Sequence, residues 1–475
     1  MGFRFRLATA GLALLLAHAI IAAQRQDPPD DLARVRLIVS TRAASATITV
    51  SGATIASFIA TINSAPPSVT VSRTGRLLQL SRNVAGETAE AQFDVMLADV
   101  GAASPIVWTL ATDAAAESDL AVYALSDQAR PALVDRFNAT TATAQFTTRA
   151  ALVTAPPIRA TRFGPPLVLA HYYPWYTTAT WSDPQLADRP LRIYSTDAQT
   201  DVNAAAAMAH AVGIDAWVVS WQGLEADNGF NDRRMRIALD AAAAAGMRAC
   251  AYTETYVANP TNDPDRGIDP RTLFDWLVDI VDRYGSHPAY LRVDGRPVIL
   301  TYAASLLPAA DWADVIARLR RTGRNPLIVG EFSRSVLLDA FDGEYQYSNV
   351  FSSGDVLADL MRGESLRVRT IDLLRPGDRR RVWVASVTPG FDDSRLVARP
   401  RPRIVDRADG AVYDDQWSKA IDTGADWIVV TSWNEWWENT EIEPGARYGT
   451  VYLERTKYWT QRFKALSRTP PPIVR

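Results

Sequence analysis

The chain between residue 33 and about residue 150 consists of short runs in which apolar and polar side chains alternate. Alternation with a period of two is typical of strands that bury one face, and Gly, Ser, Asn and Asp separate the runs. The pattern predicts an antiparallel β-sandwich. Because only Trp108 and Tyr123 supply large amphipathic rings there, we favour a spacer over a carbohydrate-binding module. The predicted strands are residues 34–39, 46–50, 68–72, 91–95, 106–110 and 120–124.

After residue 166 the apolar runs become continuous, and longer alanine-rich or amphipathic segments separate them. Strands buried on both faces lose the polar alternation, so strand-then-helix units of this kind predict a (β/α)8 TIM barrel. A doubly wound open sheet fits the count almost as well, but no GxGxxG or P-loop motif follows any run. The predicted strands are residues 167–170, 216–220, 249–253, 298–302, 327–331, 349–352, 382–387 and 427–432. The predicted helices include residues 204–212, 235–245, 273–284, 312–320 and 414–423.

The N-terminus has the pattern of a secretory signal peptide. Arg4 and Arg6 precede an apolar run over residues 7–22, and small residues end it at Ala22 and Ala23. We therefore expect a signal peptide over 1–23, with an uncleaved membrane anchor as the alternative. The remaining chain divides into a β-sandwich domain over 24–154, a proline-rich linker over 155–166 and the barrel domain over 167–475. Export predicts a secreted or periplasmic location.

Composition excludes several classes of function. A formal net charge of −3 gives no electrostatic case for binding nucleic acid or an anionic membrane. The single cysteine, Cys250, cannot form an internal disulfide, and its apolar run indicates a buried small residue. Three dispersed histidines beyond the signal peptide argue against zinc, while a calcium site with oxygen ligands stays open. We expect no cofactor and no metal.

Aromatic and acidic residues follow several of the predicted barrel strands, at the end where barrel enzymes place their working residues. Thirteen of the 14 tryptophans lie after Pro165, many of them at these strand ends. Aromatic faces beside a few polar groups suit a sugar, whose faces are C–H surfaces and whose edges are hydroxyls. The predicted substrate-binding residues are His171, Tyr173, Trp175, Trp221, Glu254, Tyr256, Tyr302, Asn434 and Trp436.

Two glutamates behind the last predicted strand are the candidate catalytic residues. Glu435 and Glu438 lie in TSWNEWWENTEIEP, residues 431–444, among three tryptophans. In an extended loop a spacing of three can bring both carboxylates to one cleft, where one protonates a glycosidic oxygen while the other stays charged. An arbitrary pair at this spacing more often caps a segment or pairs with arginine, and we expect that role for Glu441 and Glu443.

The motifs in this order resemble glycoside hydrolase family 99 and its wider relatives, the endo-acting α-mannosidases and mannanases. The resemblance covers roughly residues 165–463. The motifs that carry it are YYPWY at 172–176, GIDAWVVSW at 213–221, YGSHPAY at 284–290, DGRP at 294–297, FDG at 341–343, SVTPG at 386–390 and NEWWENTEIE at 434–443.

The resemblance implies a retaining hydrolase on a (β/α)8 barrel that uses no metal. It further implies that Glu435 acts as a base on the sugar 2-hydroxyl, forming a 1,2-anhydro intermediate, while Glu438 acts as general acid and then base. The sequence departs from the family pattern: ENTE stands at 438–441 where EGTQ is usual, and Trp437 where histidine is common. Asn439 can take the positive φ that glycine would supply.

The sequence therefore predicts a secreted glycoside hydrolase that acts on an oligosaccharide or polysaccharide with α-linkages. A non-catalytic glycan-binding or cell-surface protein is the alternative, although binding alone does not need two acids that cost free energy to bury. A glycan-assembly enzyme is a second alternative. It is disfavoured because an exported protein would lack the activated sugar donor that such an enzyme needs. The sugar, the choice between endo and exo action, and the oligomeric state do not follow from the sequence.

Overall fold

The structure is a computed structural model of the chain. It describes residues 33–62, 70–74, 77–81, 89–98, 100, 105–126, 129–154, 158–159, 163–255, 267–331, 335–374, 380–397, 399, 402–466 and 473–474. The predicted signal peptide, parts of the predicted linker and Tyr256 lie outside these residues. Among the helices in the described ranges, none is long and apolar enough to cross a bilayer.

The N-terminal strands form two antiparallel sheets of five strands each, in the orders β3-β6-β1-β8-β9 and β10-β7-β2-β5-β4. Along β1 every second side chain is buried, as the alternation in its sequence requires. The sandwich-like arrangement is as predicted, although four of its strands were missed. The strands are β1 Ala33–Thr41, β2 Ser45–Ser51, β3 Thr54–Ile62, β4 Thr70–Thr74, β5 Leu77–Ser81, β6 Ala89–Ala98, β7 Pro105–Thr112, β8 Ser118–Ser126, β9 Ala129–Ala139 and β10 Thr143–Arg149.

Eight parallel strands close into a barrel, which confirms the predicted (β/α)8 fold. Each strand pairs in parallel with its neighbours, and β14 pairs with β16 across a connection that contains the short β15 hairpin strand, Arg292–Val293. Nearly every residue of these strands is buried, because the core fills one face and helices cover the other. The barrel strands are β12 Leu167–Tyr172, β13 Ala216–Trp221, β14 Arg248–Glu254, β16 Arg296–Tyr302, β17 Leu327–Glu331, β18 Gly343–Tyr345, β19 Val382–Val387 and β22 Trp427–Val430.

The sixth barrel strand differs from the prediction. Residues 349–352 form a turn, and the strand is the three-residue β18, which pairs with β17 and β19. No apolar run marks it, because its central residue is the buried Glu344, which binds Arg367. Gly343 allows the close approach of β19, since a β-carbon there would lie 2.3 Å from the Val382 carbonyl oxygen.

Helices cover the barrel, and short strand pairs lie outside it. The five predicted helices are present, and two more follow the sixth and eighth strands. The short pairs are β11 Ile158–Arg159 with β23 Ile473–Val474, and β20 Phe391–Asp392 with β21 Ile404–Val405. The helices are α1 Ala150–Thr154, α2 Gln199–Ala211, α3 Phe230–Ala245, α4 Pro270–Arg283, α5 Ala309–Arg321, α6 Gly354–Leu374, α7 Ala411–Asp422 and α8 Val451–Leu466.

Helix α6 joins the sandwich to the barrel. Its Gly363 lies against the backbone of β9, where an added β-carbon would be 1.7 Å from the Leu133 carbonyl oxygen. One turn on, Arg367 donates to the carbonyl oxygens of Leu133 and Val134 at 2.8 and 3.0 Å while it holds Glu344 in the barrel. A single buried guanidinium therefore connects a sandwich strand to β18.

Candidate active site

A cavity of about 320 Å³ opens at the C-terminal ends of the barrel strands. This is the face on which (β/α)8 enzymes carry their active sites, because eight separate loops converge there. Aromatic rings and carboxylates make up most of its wall, with one guanidinium. The lining residues are Tyr173, Trp175, Tyr252, Glu254, Tyr302, Ala303, Leu306, Tyr347, Arg399, Glu435 and Glu438.

Glu435 lies at the bottom of the loop that follows β22 and is 4% exposed. Its Oε1 accepts hydrogen bonds from the Trp437 backbone N–H at 3.1 Å and from the Tyr176 hydroxyl at 3.2 Å. Its own backbone N–H donates to Ser432 Oγ at 2.7 Å, which holds the loop over the strand end. These contacts leave Oε2 for a group inside the cavity.

Glu438 stands on the same loop, closer to the solvent. Its Oε2 accepts a hydrogen bond from the Tyr347 hydroxyl at 3.0 Å, and its Oε1 accepts one from Arg399 at 3.2 Å. Tyr347 comes from the loop after β18, and Tyr173, after β12, contacts the Tyr347 hydroxyl at 3.0 Å. Glu438 is therefore held by side chains from distant parts of the barrel.

Burial raises the pKa of both carboxyls above the usual range for glutamate. For Glu435 desolvation is the largest cause, and repulsion from the Glu438 carboxylate adds to it. For Glu438 desolvation again raises the pKa, while Tyr347 and Arg399 oppose it by stabilising the charged form. Because each negative charge disfavours the other, the two groups titrate as a pair, and the state with one shared proton extends to a higher pH than either carboxyl alone would allow.

Six of the predicted site residues come together at this cavity: Glu435, Glu438, Tyr173, Trp175, Glu254 and Tyr302. Glu254, at the end of β14, accepts hydrogen bonds from the Ser220 hydroxyl and, at 3.3 Å, from the Gln222 amide. Its carboxylate is thus fixed by the neighbouring strand β13. Tyr256 lies outside the described residues.

Asn434 and Trp436 lie behind the cavity wall instead of lining it. The Asn434 side chain accepts from the Tyr173 backbone N–H at 2.7 Å and donates to the Tyr173 carbonyl at 3.0 Å, so it ties the last loop to the first. The Trp436 indole packs edge-on against Trp181 and donates to Glu443 at 3.3 Å. Both side chains are fully buried, so the structure gives them a positioning role instead of the predicted sugar contact.

His171 and Trp221 also lie outside the lining. The His171 ring is fully buried under the cavity floor, 4.5 Å from the Tyr252 ring and 5.4 Å from the Tyr347 ring. Desolvation lowers its pKa to about 3, so the imidazole is neutral and supports the tyrosines by packing. The Trp221 indole donates to the Tyr284 hydroxyl at 3.2 Å on the helix side of β13.

The sequence interpretation missed five residues that line the cavity: Tyr252, Ala303, Leu306, Tyr347 and Arg399. Tyr252 was inside a predicted strand. A continuous apolar run does not show which of its side chains point into the barrel, so Tyr252 was not recognised as a lining residue. Tyr347 follows the sixth strand, which was placed too late in the chain, so that its position two residues after β18 was not recognised.

The glutamates that follow the catalytic candidates support the loop. Glu441 binds the buried Arg407 at 2.8 Å, and Glu443 accepts from the Tyr194 hydroxyl at 2.9 Å. Asn439 has a φ of +50°, the left-handed conformation expected of a residue that replaces glycine. Across the described ranges, no group of three His, Cys, Asp or Glu side chains is arranged to hold a metal ion.

Comparison with known proteins gives one family match, to the model described as glycosyl hydrolase family 99, over residues 188–465. The match covers more than half of the chain. It begins after the first barrel strand, so the YYPWY motif at 172–176 lies before it.

Similar proteins include a glycoprotein endo-α-1,2-mannosidase from Xenopus laevis, 25% identical over 330 residues, which are 62% of this chain and 66% of that protein. A glycoprotein endo-α-1,2-mannosidase-like protein from Danio rerio is 28% identical over 42% of this chain and 50% of its own length. The chain thus spans half to two thirds of these relatives. The solved GH99 endo-α-mannosidase from Bacteroides thetaiotaomicron superposes with a TM-score of 0.53 at 26% identity, over 64% of this chain and 98% of that one.

Proposed function

The chain belongs to glycosyl hydrolase family 99 and is a glycoside hydrolase, and from this premise we propose that it cleaves α-mannosidic bonds within a glycan by using Glu435 and Glu438. The mannose specificity comes from the names of the similar proteins. The roles of the two glutamates are those that the family resemblance implies, and their place in one cavity supports the assignment.

The observation that carries the proposal is that these two carboxyls share one cavity in different surroundings. Glu435 is the more enclosed and receives a backbone N–H and the Tyr176 hydroxyl. Glu438 is nearer the opening, where Tyr347 and Arg399 contact it. A pair that carries a single proton can supply an acid and a base in the same step.

In the first step Glu438 gives its proton to the glycosidic oxygen, and the bond from that oxygen to C1 breaks. Glu435 accepts the proton of the 2-hydroxyl, and O2 forms a bond to C1, which yields a 1,2-anhydro sugar. After this step Glu435 is protonated and Glu438 is charged. Proton transfer from positioned groups contributes roughly 10² to 10⁴-fold to such rates.

In the second step the Glu438 carboxylate removes a proton from water, whose oxygen bonds to C1 while the C1–O2 bond breaks. Glu435 returns its proton to O2. Two displacements at C1 restore the α configuration, so the reaction retains stereochemistry. The pair ends in its starting state, and the one-proton form is the active form in both steps.

The test measures product release from a panel of α-mannans and other α-glycans by wild type, Glu435→Gln and Glu438→Gln. We expect wild type to cut a mannan internally and to release the α-anomer first, as seen by NMR. Each variant is expected to lose at least about a hundredfold in turnover. Release of the β-anomer, or full activity in either variant, contradicts the mechanism.

The matched control is Glu443→Gln on the same loop. Burial raises the pKa of Glu443 to about 8, so near pH 6 the amide replaces a carboxyl that is already protonated. We expect this variant to keep the activity of wild type. If wild type binds a mannan and cuts no glycan of the panel, the proposed activity is refuted.

We also propose that the protein is exported and that its mature form consists of the sandwich domain, 24–154, and the barrel domain, 167–475. Support comes from the two arginines and the apolar run over residues 4–23. N-terminal sequencing of the protein from the medium or periplasm should begin at Gln24 or close to it. Recovery in the cytoplasm with Met1 retained contradicts export.

A further inference from the structure

A second cleft lies where the sandwich meets the barrel, and we call it the junction cleft. It has a volume of about 230 Å³ and is bounded by sandwich strand β9, by the segment after β18 and by helix α6. The residues used below are Arg136, Ser348, Asn349, Phe351, Glu364 and Arg403, all of which line it.

Two arginines give the junction cleft a positive charge. Arg136 comes from β9 and Arg403 from the segment before β21, so the two reach the cleft from different domains. Within the part of the chain that the structure describes, neither guanidinium forms an ion pair within 4 Å, although the charge of Arg136 also acts on Asp119 of β8. A third guanidinium, Arg367, is already bound to Glu344. Arginine recognises carboxylates and phosphates through its planar fork of donors.

The junction cleft also offers a sugar-sized aromatic surface. The Phe351 ring is 46% exposed, which is unusual for a large apolar side chain, and the Arg403 guanidinium lies 4.7 Å from its centroid. Phe391 supports the ring edge-on at 5.0 Å. An exposed ring with flanking polar groups suits the C–H face of a pyranose.

The acid in the junction cleft does not cancel this charge at neutral pH. Glu364 is buried between the Asn349 amide at 3.5 Å and the Trp383 indole at 3.3 Å. Desolvation raises its pKa to about 8, so the carboxyl is largely protonated below that pH. It can then donate a hydrogen bond, as Ser348 and Asn349 can, to a bound hydroxyl or carboxylate.

The junction cleft adjoins the catalytic cavity through two shared elements. Ser348 follows Tyr347, which binds Glu438 in the cavity. On the other side, the Asp392 backbone N–H donates to the Glu438 carbonyl at 2.8 Å, directly after Phe391. The junction cleft and the catalytic cavity are therefore built in part from the same two chain segments.

We propose that the junction cleft binds an anionic sugar residue, with a carboxylate held between Arg136 and Arg403 and the sugar face on Phe351. The glycan that the protein binds then carries uronic acid residues or equivalent acidic substituents. The proposal takes from the proposed function only that the ligand is a glycan, and its test needs no turnover.

The test measures binding by calorimetry, with galacturonate, glucuronate and mannuronate tetrasaccharides as probes and mannotetraose as the neutral comparison. We expect at least one uronate probe to bind more tightly than mannotetraose, with affinity falling as salt rises. Arg136→Gln and Arg403→Gln should each weaken binding at least about tenfold, since each removes a charged hydrogen-bond donor. Phe351→Ser should weaken it as well.

Two variants serve as controls. Arg318→Gln is matched to Arg403→Gln, because Arg318 also lies over a phenyl ring, that of Phe274 at 4.5 Å, but on helix α5 outside the cleft. Arg399→Gln removes the guanidinium of the catalytic cavity. Arg318→Gln should not change uronate binding, whereas Arg399→Gln reports whether the probe occupies the catalytic cavity. Thermal unfolding of each variant shows whether it is folded.

Several results would overturn the proposal. Failure of all three uronates to bind is one, and equal binding to wild type and to both cleft variants is another. Loss of binding in Arg399→Gln alone would place the ligand in the catalytic cavity. Displacement of the uronate by inorganic phosphate at equal concentration would show an anion site without sugar selectivity. Because every readout here is binding and not product release, failure of this proposal is separate from failure of the catalytic proposal.

Discussion

Replacing Gly363 with alanine should destabilise the protein, although alanine is the better helix former. In an exposed helix this change stabilises by about 1 kcal/mol. Here the new β-carbon would be 1.7 Å from the Leu133 carbonyl oxygen, whereas ordinary contact begins at 3.4 Å. Helix α6 must therefore retreat from β9 by about 1.7 Å, the difference between these two distances.

The retreat also affects Arg367, whose hydrogen bonds to Leu133 and Val134 are 2.8 and 3.0 Å long. Overpacking of this kind costs about 1–3 kcal/mol, and each weakened hydrogen bond about 1 kcal/mol more. After the gain in helix propensity is subtracted, we expect a net loss of about 2–4 kcal/mol. Urea unfolding followed by near-UV circular dichroism measures it.

A double-mutant cycle with Arg367→Met separates the two causes. If the clash acts by pulling Arg367 away from β9, the double variant should lose less stability than the sum of the single variants. An increase in stability for Gly363→Ala would refute the close approach of α6 and β9. Strict additivity would refute the coupling through Arg367 while leaving the clash in place.

Three further predictions concern the catalytic cavity and its supporting loop. Tyr347→Phe removes the hydroxyl that stabilises the Glu438 carboxylate. We expect kcat/KM to fall about tenfold and the alkaline limb of its pH profile to move to higher pH. An unchanged pH profile would show that this hydrogen bond does not control the pKa of Glu438. Arg399→Gln should also move the alkaline limb of the pH profile to higher pH, because it removes a positive charge that stabilises the Glu438 carboxylate. Since Arg399 is 51% exposed, high salt should shift the wild-type profile toward that of the variant. A difference between the two profiles that does not depend on salt argues against a charge effect. Glu443→Gln tests linkage between protonation and stability. The unfolded chain releases this proton near pH 4.5 and the folded chain near pH 8, so between these values wild type should lose roughly 1.4 kcal/mol per pH unit more than the variant. The free energy of unfolding, measured in urea at pH 5 and pH 8, should therefore favour the variant increasingly as pH rises, and parallel losses in both proteins would exclude this role for Glu443.

The periodicity of the sequence predicts most of the fold, because burial on one face or on two leaves different patterns. Strand β1 alternates since only one of its faces meets the core, while β13 is buried throughout and apolar except for Ser220 since both of its faces are covered. Strand β18 breaks the rule because its buried central residue is charged and satisfied by Arg367, an ion pair that no local pattern announces. Helix α6 was missed for a related reason. Leu366 packs in the sandwich core and Met361 in the barrel core, so its apolar residues do not form one stripe.

The two catalytic candidates could be located from the sequence because they are close in the chain, whereas their partners could not. Four glutamates lie in the loop after β22, at positions 435–443, and the tryptophans around the first two distinguish that pair in the sequence. Glu435 and Glu438 line the cavity, while Glu441 and Glu443 are turned into the loop by Arg407 and Tyr194. The side chains that determine this division come from residues far away in sequence. The same holds for Tyr347, whose hydroxyl reaches Glu438 across 91 positions of the chain. The chemistry of the cavity thus depends on contacts that the closed barrel brings together from distant parts of the chain.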